Sequence, residues 1–74
     1  MFYIDYRTPK PGGGVLHQVR ECEDFKDAHR RLINTGFRLD EGRLDEDIIY
    51  TDGTTDALLV EDMPEDGEVV ILDA

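Results

Sequence analysis

The chain has 74 residues, of which 18 are acidic and 8 are basic, and its formal net charge is −10. This length allows one small hydrophobic core, so we expect residues 1–74 to form a single acidic domain. No apolar run approaches the roughly 18–20 residues needed to cross a bilayer. The first residues also lack the basic and apolar regions of a signal peptide. We therefore expect no membrane association and a cytoplasmic location.

The charge is distributed unevenly along the chain. Positions 1–43 hold all 8 bases and 7 acids, a formal charge of +1, whereas Leu44 to Ala74 contains 11 acids and no base. Direct binding to nucleic acid is disfavoured, because it requires a basic surface that neutralises phosphates. The composition contains no serine, which excludes serine-nucleophile chemistry, and the single cysteine, Cys22, excludes an intrachain disulfide.

The first 22 residues predict a β-hairpin. Phe2, Ile4 and Tyr6 alternate with Tyr3, Asp5 and Arg7. This period of two is typical of a half-buried strand over residues 2–7. The segment Thr8–Gly14, with two prolines and three glycines, predicts a mobile loop. A second strand follows from Val15 to Cys22, with Val15, His17 and Val19 on one face.

The next segment predicts a helix over roughly residues 25–35. Asp24 is a suitable N-cap, and Asp27 places a negative charge where the helix dipole favours one. The apolar stripe expected to face the core is Phe25, Ala28 and Leu32, with Ile33 at its edge. Gly36 fits the left-handed position after the helix, and Phe37 can then pack on the last turn in a Schellman ending.

The second half predicts three more strands: Leu44–Thr51, one ending near Met63, and Val69–Leu72. Asp52-Gly53 favours a two-residue turn, but that turn would pair Ile49 with Asp56 and Glu46 with Leu59. A four-residue loop, Asp52–Thr55, instead gives the pairs Tyr50–Ala57, Ile49–Leu58 and Ile48–Leu59. Because register follows the hydrophobic pattern, we expect the four-residue loop.

The turn Pro64–Gly67 is expected to join the last two strands. The predicted fold is thus α+β: an antiparallel sheet with a single helix packed on one face, in the order ββαβββ. Val69–Leu72 is uniformly apolar, which indicates either that both of its faces are covered or that it forms a homodimer or partner interface.

No catalytic constellation is evident, so we predict that the protein is not an enzyme and needs no cofactor. Cys22 and His17 lie five positions apart on a strand and should point to opposite faces. Gly12–Gly14 lead into a strand rather than a helix, unlike phosphate-binding loops. The acids at 40–41 and 45–47 lack the ligand spacing of a calcium loop, so we predict no dedicated metal site, leaving weak divalent binding open.

The acidic second half is the feature that predicts a function. Residues i and i+2 of a strand lie about 6.6–6.8 Å apart on one face, so strand and turn acids can form an extended negative surface. The residues predicted to bind a partner are Asp45, Asp47, Asp56, Glu61, Asp62, Glu65, Asp66 and Glu68. The alternative is that these charges only maintain solubility.

We therefore predict a non-catalytic module that binds another protein with a basic surface, as an inhibitor of its nucleic-acid-binding groove. The prediction is an analogy of size and charge with inhibitors carried by phages and mobile elements, such as anti-CRISPR and anti-restriction proteins. A phage-encoded protein would act in the host cytoplasm. The alternatives are a salt-adapted domain and a small structural or regulatory domain that dimerises through Val69–Leu72.

Overall fold

The structure is a computed structural model that describes residues 2–41, 48–65 and 67–72. Within these ranges the chain forms six strands and one helix. In chain order they are β1 (Phe2–Pro9), β2 (Val15–Cys22), α1 (Phe25–Asn34), β3 (Arg38–Leu39), β4 (Ile49–Thr51), β5 (Asp56–Val60) and β6 (Glu68–Ile71). The described part of the chain has no helix long and apolar enough to cross a membrane.

The predicted hairpin of β1 and β2 is confirmed, with a register that runs from Phe2 opposite Cys22 to Pro9 opposite Val15. The loop between them is tighter than its composition predicts. The Lys10 N–H donates to the Gly14 carbonyl and the Gly13 N–H donates to the Lys10 carbonyl, both at 3.1 Å. Three successive glycines with positive φ allow this closure, since residues with a Cβ rarely adopt that conformation.

The predicted helix is also confirmed, together with both of its ends. The Asp24 carboxylate accepts from the Asp27 N–H at 2.8 Å. At the other end Gly36 has φ of 90°. The Phe37 N–H donates to the Leu32 carbonyl at 2.9 Å, and the Gly36 N–H donates to the Ile33 carbonyl at 3.2 Å. These two bonds are those of a Schellman motif, which satisfies the last carbonyls of the helix.

The core lies between α1 and one face of the sheet. Its buried residues are Ile4, Cys22, Ala28, Leu32, Tyr50 and Ala57. Phe25, expected in the core-facing stripe, is instead 45% exposed. Its ring packs edge-on against Phe2, with ring centroids 6.3 Å apart, and stacks on His29. A hydrogen bond of 2.6 Å joins His29 Nδ1 to the buried Tyr50 hydroxyl.

The β4–β5 hairpin has the predicted four-residue loop, with Ile49 opposite Leu58 and Tyr50 opposite Ala57. The Asp52 carboxylate closes it by accepting from the N–H groups of Thr54 and Thr55 at 2.9 and 2.7 Å. These bonds, Thr55 first, lower the pKa of Asp52. The preceding strand begins at Ile49, so Ile48 lies outside the ladder. The predicted strand residues 44–47 lie outside the described part of the chain.

The strand order contradicts two expectations. The sheet order is β3-β4-β5-β1-β2-β6, so the short β3 adds a strand to the expected ββαβββ order. The sheet is mixed rather than antiparallel, because β6 pairs parallel to β2. The physical reason is that β5 has β1 on one side and β4 on the other. No edge of β5 remains for a hairpin, so the expected turn at Pro64–Gly67 does not form one.

Residues 61–67, which we call the crossover segment, instead carry the chain from the end of β5 to the free edge of β2. Two residues of this segment, Met63 and Gly67, lie against the sheet face opposite α1. Gly67 lies against the His17 ring, and Met63 lines a depression with Tyr3 and Val19. This cover helps explain why Asp5 and Val19 are fully buried on a face that carries no helix.

The last strand is not covered on both faces by the described residues. Val70 is 41% exposed and Ile71 is 61% exposed. The first of the two explanations for its apolar sequence is therefore wrong, and an interface stays a prediction.

Candidate functional site

Acidic residues surround two adjoining depressions where β2 leads into α1 and where β5 ends. The first, of about 420 Å³, lies between α1, the end of β2 and the end of β6. The second, of about 520 Å³, lies between the end of β5 and the N-terminus of α1. Glu23 lines both. We call them together the acidic groove, and its charged residues are Glu21, Glu23, Asp24, Asp27, Arg31, Glu61 and Asp62.

The local sequence explains why these side chains meet. In Glu21-Cys22-Glu23-Asp24 the alternation of the strand turns Cys22 into the core and Glu21 outward. The strand then gives way to the helix, whose N-cap is Asp24. The Val60 end of β5 lies opposite Tyr3 of β1, which places Glu61 and Asp62 beside the same end of the sheet.

The groove is strongly negative. Its lining contains six carboxylates and one guanidinium, a formal charge of −5. Asp27 is the exception among the acids because it is already engaged: it accepts from the Glu23 N–H at 3.2 Å and from Arg31 Nε at 3.2 Å. The Glu23 backbone bond, followed by the arginine contacts, lowers the pKa of Asp27. Its carboxylate therefore neutralises the one arginine of the groove.

Four groove carboxylates are available to a ligand. Glu21, Glu23, Glu61 and Asp62 are all exposed, and none forms an ion pair within the part of the chain that the structure describes. Like charges brought together in this way repel one another, and each would gain from a cation placed between them.

The floor of the first depression is apolar. Tyr3, Val19, Met63, Ile71 and Leu72 line it beside the acids. A lysine or arginine side chain has this same division, with an apolar stem and a charged head. The groove can therefore hold the stem against its floor while the head reaches a carboxylate.

The structure divides the acids predicted to bind a partner. Glu61 and Asp62 lie in the groove. Asp56 is opposite Arg7 and Glu68 is opposite Leu16, about 17 Å from the groove acids along the strands. There Glu68 accepts from Lys10 Nζ at 3.0 Å, so its charge is paired. Glu65 is exposed in the crossover segment. Asp45, Asp47 and Asp66 lie outside the described residues.

Sequence reasoning missed the groove acids that come from the first half of the chain: Glu21, Glu23, Asp24 and Asp27. That half is nearly neutral in total, and a net count over 43 residues conceals a local run of three acids in four positions. The run extends from the end of a predicted strand to the predicted helix cap, and that position was the available signal.

A second polar cluster lies on the face that the crossover segment covers. Asp5 is fully buried, and its carboxylate accepts from His17 Nδ1 at 2.9 Å and from Arg7 Nε at 3.0 Å. The other edge of the His17 ring faces Gly67, beside a cavity of about 350 Å³ lined by Arg7, Gly14, Val15 and Gly67. Sequence reasoning did not identify this pair.

The Asp5–His17 pair is not joined to a nucleophile in the described part of the molecule. An aspartate that orients a histidine is part of a catalytic triad, but here Nδ1 of His17 contacts both oxygens of Asp5, and Nε2, the nitrogen that would face a nucleophile, lies beside Gly67. Cys22 lies on the opposite face in the core, as the alternation predicts, and burial raises the pKa of its thiol. Across residues 2–41, 48–65 and 67–72, no three His, Cys, Asp or Glu side chains are arranged to hold a metal ion.

Comparison with known proteins finds no matching family model, no matching curated protein and no matching solved structure.

Proposed function

We propose that this chain is a non-catalytic module that binds a partner protein by receiving lysine or arginine side chains in the acidic groove. The observation that carries the proposal is the concentration of six carboxylates around an apolar floor, with one guanidinium among them that is already paired. Lysine and arginine side chains of a basic partner surface complement both features: their cationic heads match the carboxylates, and their aliphatic stems match the apolar floor.

The charge favours fast association with such a surface. Attraction between unlike charges is long-ranged at low salt and is screened beyond about 8 Å at physiological ionic strength. Unpaired carboxylates gathered at one end of the molecule also orient the approaching partner. Binding through the groove should therefore weaken as salt is added, mainly through a slower association rate.

Among basic surfaces of a partner protein, a nucleic-acid-binding groove fits the acidic groove best. Such grooves are lined by lysine and arginine residues that neutralise phosphates. Carboxylates of the acidic groove would occupy the positions of those phosphates, so the module and the nucleic acid would compete. The module therefore acts as an inhibitor, and a phage or mobile element is the kind of source for which such an inhibitor is useful.

The test compares two double variants with the same change in net charge. Glu23→Gln with Glu61→Gln removes two of the four available charges of the groove, and neither side chain caps the helix or forms an ion pair within the described residues. The control, Glu41→Gln with Glu68→Gln, neutralises one acid two residues after β3 and one at the start of β6, away from the groove. Breaking the exposed Lys10–Glu68 pair of the control should cost little stability.

Tagged wild-type protein is used to capture partners from the native host lysate at low and high salt, and the captured protein is then purified for direct titration. We expect the groove variant to lose roughly tenfold or more in affinity and the control to stay within about twofold. We also expect the captured protein to release its nucleic acid as the module is added. Equal losses for both variants, or binding that is insensitive to salt, would contradict the proposal.

A salt-adapted domain remains the alternative. General salt adaptation should spread acids over the whole surface, whereas the described residues pair Glu68 with Lys10 at one end and leave four acids unpaired at the other. A urea titration in dilute buffer and in molar salt separates the two hypotheses. Folding that requires molar salt would support the alternative.

A further inference from the structure

The outer edge of β6 is the longer of the two edges of the described sheet. β6 has four residues, whereas β3 at the opposite edge has two. An edge strand presents unpaired N–H and C=O groups to any further strand. The edge of β6 has no proline and no lysine, the residues that commonly block such pairing.

The hydrogen-bond pattern shows which residues present these groups. The Leu72 N–H donates to the Val19 carbonyl at 2.8 Å. In a parallel ladder, alternate residues bond to the same neighbour. Val70 therefore also points its backbone groups toward β2, while Val69 and Ile71 direct theirs away from the sheet.

The outer edge is also apolar and continuous with the acidic groove. Val70 is exposed on the helix side of the sheet and Ile71 on the opposite side. Ile71, the last residue of β6, lines the groove together with Glu21 and Glu23. A chain segment lying along β6 would thus reach the unpaired carboxylates at the end of the strand.

We propose that β6 accepts an extended segment of the partner as an additional strand, with apolar residues beside Val69–Ile71 and a lysine or arginine entering the groove. This inference rests on the proposed function and names the form of the partner's bound segment. Main-chain bonds to Val69 and Ile71 provide affinity, and the groove selects a basic residue at one end.

Charge favours this occupant over a second copy of the chain. Each copy has a net charge of −10, so edge-to-edge pairing through β6 would bring two strongly acidic chains together. A four-residue strand is also only about 13 Å long, which is too short to bury the roughly 1,200 Å² of a stable interface. A basic segment gains from the same acids that repel a second copy.

The test uses a seven-residue probe peptide, Lys-Val-Lys-Val-Lys-Val-Lys, and two variants at one position. Ile71→Pro removes the outward N–H while leaving the bonds to β2, and prolines are tolerated on edge strands in that orientation. Ile71→Ala removes the same side chain but keeps the N–H. We expect Ile71→Pro to weaken peptide binding at least tenfold and Ile71→Ala to weaken it less than threefold.

Two measurements on the wild-type protein keep the test decisive if Ile71→Pro fails to fold. The peptide should slow amide hydrogen exchange at Val69 and Ile71, and a peptide N-methylated on alternate amides should bind at least tenfold more weakly. Unchanged exchange, equal affinity of the methylated peptide, or equal affinities of the two variants would overturn strand addition.

The two proposals can fail separately. If Glu23→Gln with Glu61→Gln weakens binding of the peptide while the Ile71 variants behave alike, strand addition is overturned and the acidic groove stands. If Ile71→Pro weakens binding but the groove variant does not, strand addition is supported and the proposed function fails. A wild-type dimer in sedimentation that Ile71→Pro dissociates would assign the edge to a second copy and overturn the proposal.

Discussion

Asp5 is fully buried on the sheet face that carries no helix, and two side chains of the hairpin hold its carboxylate. His17 and Arg7 both donate to it, at 2.9 and 3.0 Å. Burying a carboxylate is costly unless hydrogen bonds and opposite charge replace the lost water. The partners sit on the same strand and on the neighbouring one, so the hairpin itself supplies the compensation.

We predict that Asp5→Asn lowers the free energy of unfolding by about 3 kcal/mol, because the amide has no charge to pair with Arg7 and replaces one acceptor oxygen with a donor NH2 facing the donors. Urea denaturation measures the loss. The matched control is Glu21→Gln, an exposed position on the neighbouring strand, which should stay within about 0.5 kcal/mol of the wild type. A loss below about 1 kcal/mol for Asp5→Asn would show that the carboxylate is dispensable.

At the level of elements, the crossover segment is held closely against the hairpin at Gly67. Gly67 has φ of 78°, and a Cβ there would lie 3.0 Å from the Val15 carbonyl oxygen and 3.3 Å from His17 Cδ2. Gly53, in the β4–β5 loop, has φ of 97°, but a Cβ there would have no neighbouring atom within 4 Å. The two glycines share backbone strain and differ in steric contact.

This difference predicts the effect of Gly67→Ala. Left-handed backbone costs an alanine about 1–2 kcal/mol at either position. Gly67→Ala should destabilise the fold by at least a further ~1 kcal/mol, since the Val15 carbonyl is part of a strand and cannot yield easily. Thermal or urea unfolding of Gly67→Ala and Gly53→Ala provides the comparison. Equal losses would show that the crossover segment is not closely held.

Elements fixed by contacts between residues close in sequence were predictable, and elements fixed by contacts between residues far apart in sequence were not. The cap at Asp24, the Schellman ending at Gly36 and the loop Asp52–Thr55 depend on residues a few positions apart, and all three are confirmed. The place of β6 depends on which sheet edges are already occupied. Because β1 and β4 flank β5, the last strand pairs with β2, and no local pattern around Pro64 could indicate this.

The candidate site shows the same division. The negative charge of the second half predicted an acidic binding surface, and two of the predicted residues, Glu61 and Asp62, line the groove. Their neighbours Glu23 and Asp24 come from the other half of the chain and meet them only through the pairing of β1 with β5. Likewise, the alternation predicted that Asp5 lies on the face opposite Ile4 and that His17 shares a face with Val19, but the burial of Asp5 and His17 follows from the crossover segment covering that face.

At the scale of the whole molecule, three groups in and around the core resist ionisation. Burial raises the pKa of Tyr6, Cys22 and Tyr50. The folded protein therefore keeps protons that the unfolded chain releases at the ordinary values of about 8.5 for cysteine and 10 for tyrosine. Their contribution to stability is fully present below the unfolded values and is lost as pH rises through the folded ones.

We predict that the free energy of unfolding falls steadily from about pH 8.5 toward pH 11. Urea denaturation at a series of pH values measures it. Cys22→Ala should remove the earliest part of the decline, because cysteine titrates first in the unfolded chain. The two proteins are compared by the slope of the free energy of unfolding against pH, because the smaller alanine side chain also changes the absolute stability. A Cys22→Ala profile parallel to the wild type would contradict the assignment of that part to Cys22.

The pairing of β6 with β2 also constrains the order in which the chain can fold. β1 and β2 are joined by a short loop and can form quickly, whereas Glu68 reaches Leu16 from roughly fifty positions away, at a much larger loop-closure entropy. β6 has no edge to dock on until the hairpin exists. Its docking is thus a late step in folding, and its release is an early step in local opening, one that leaves the hairpin and helix intact.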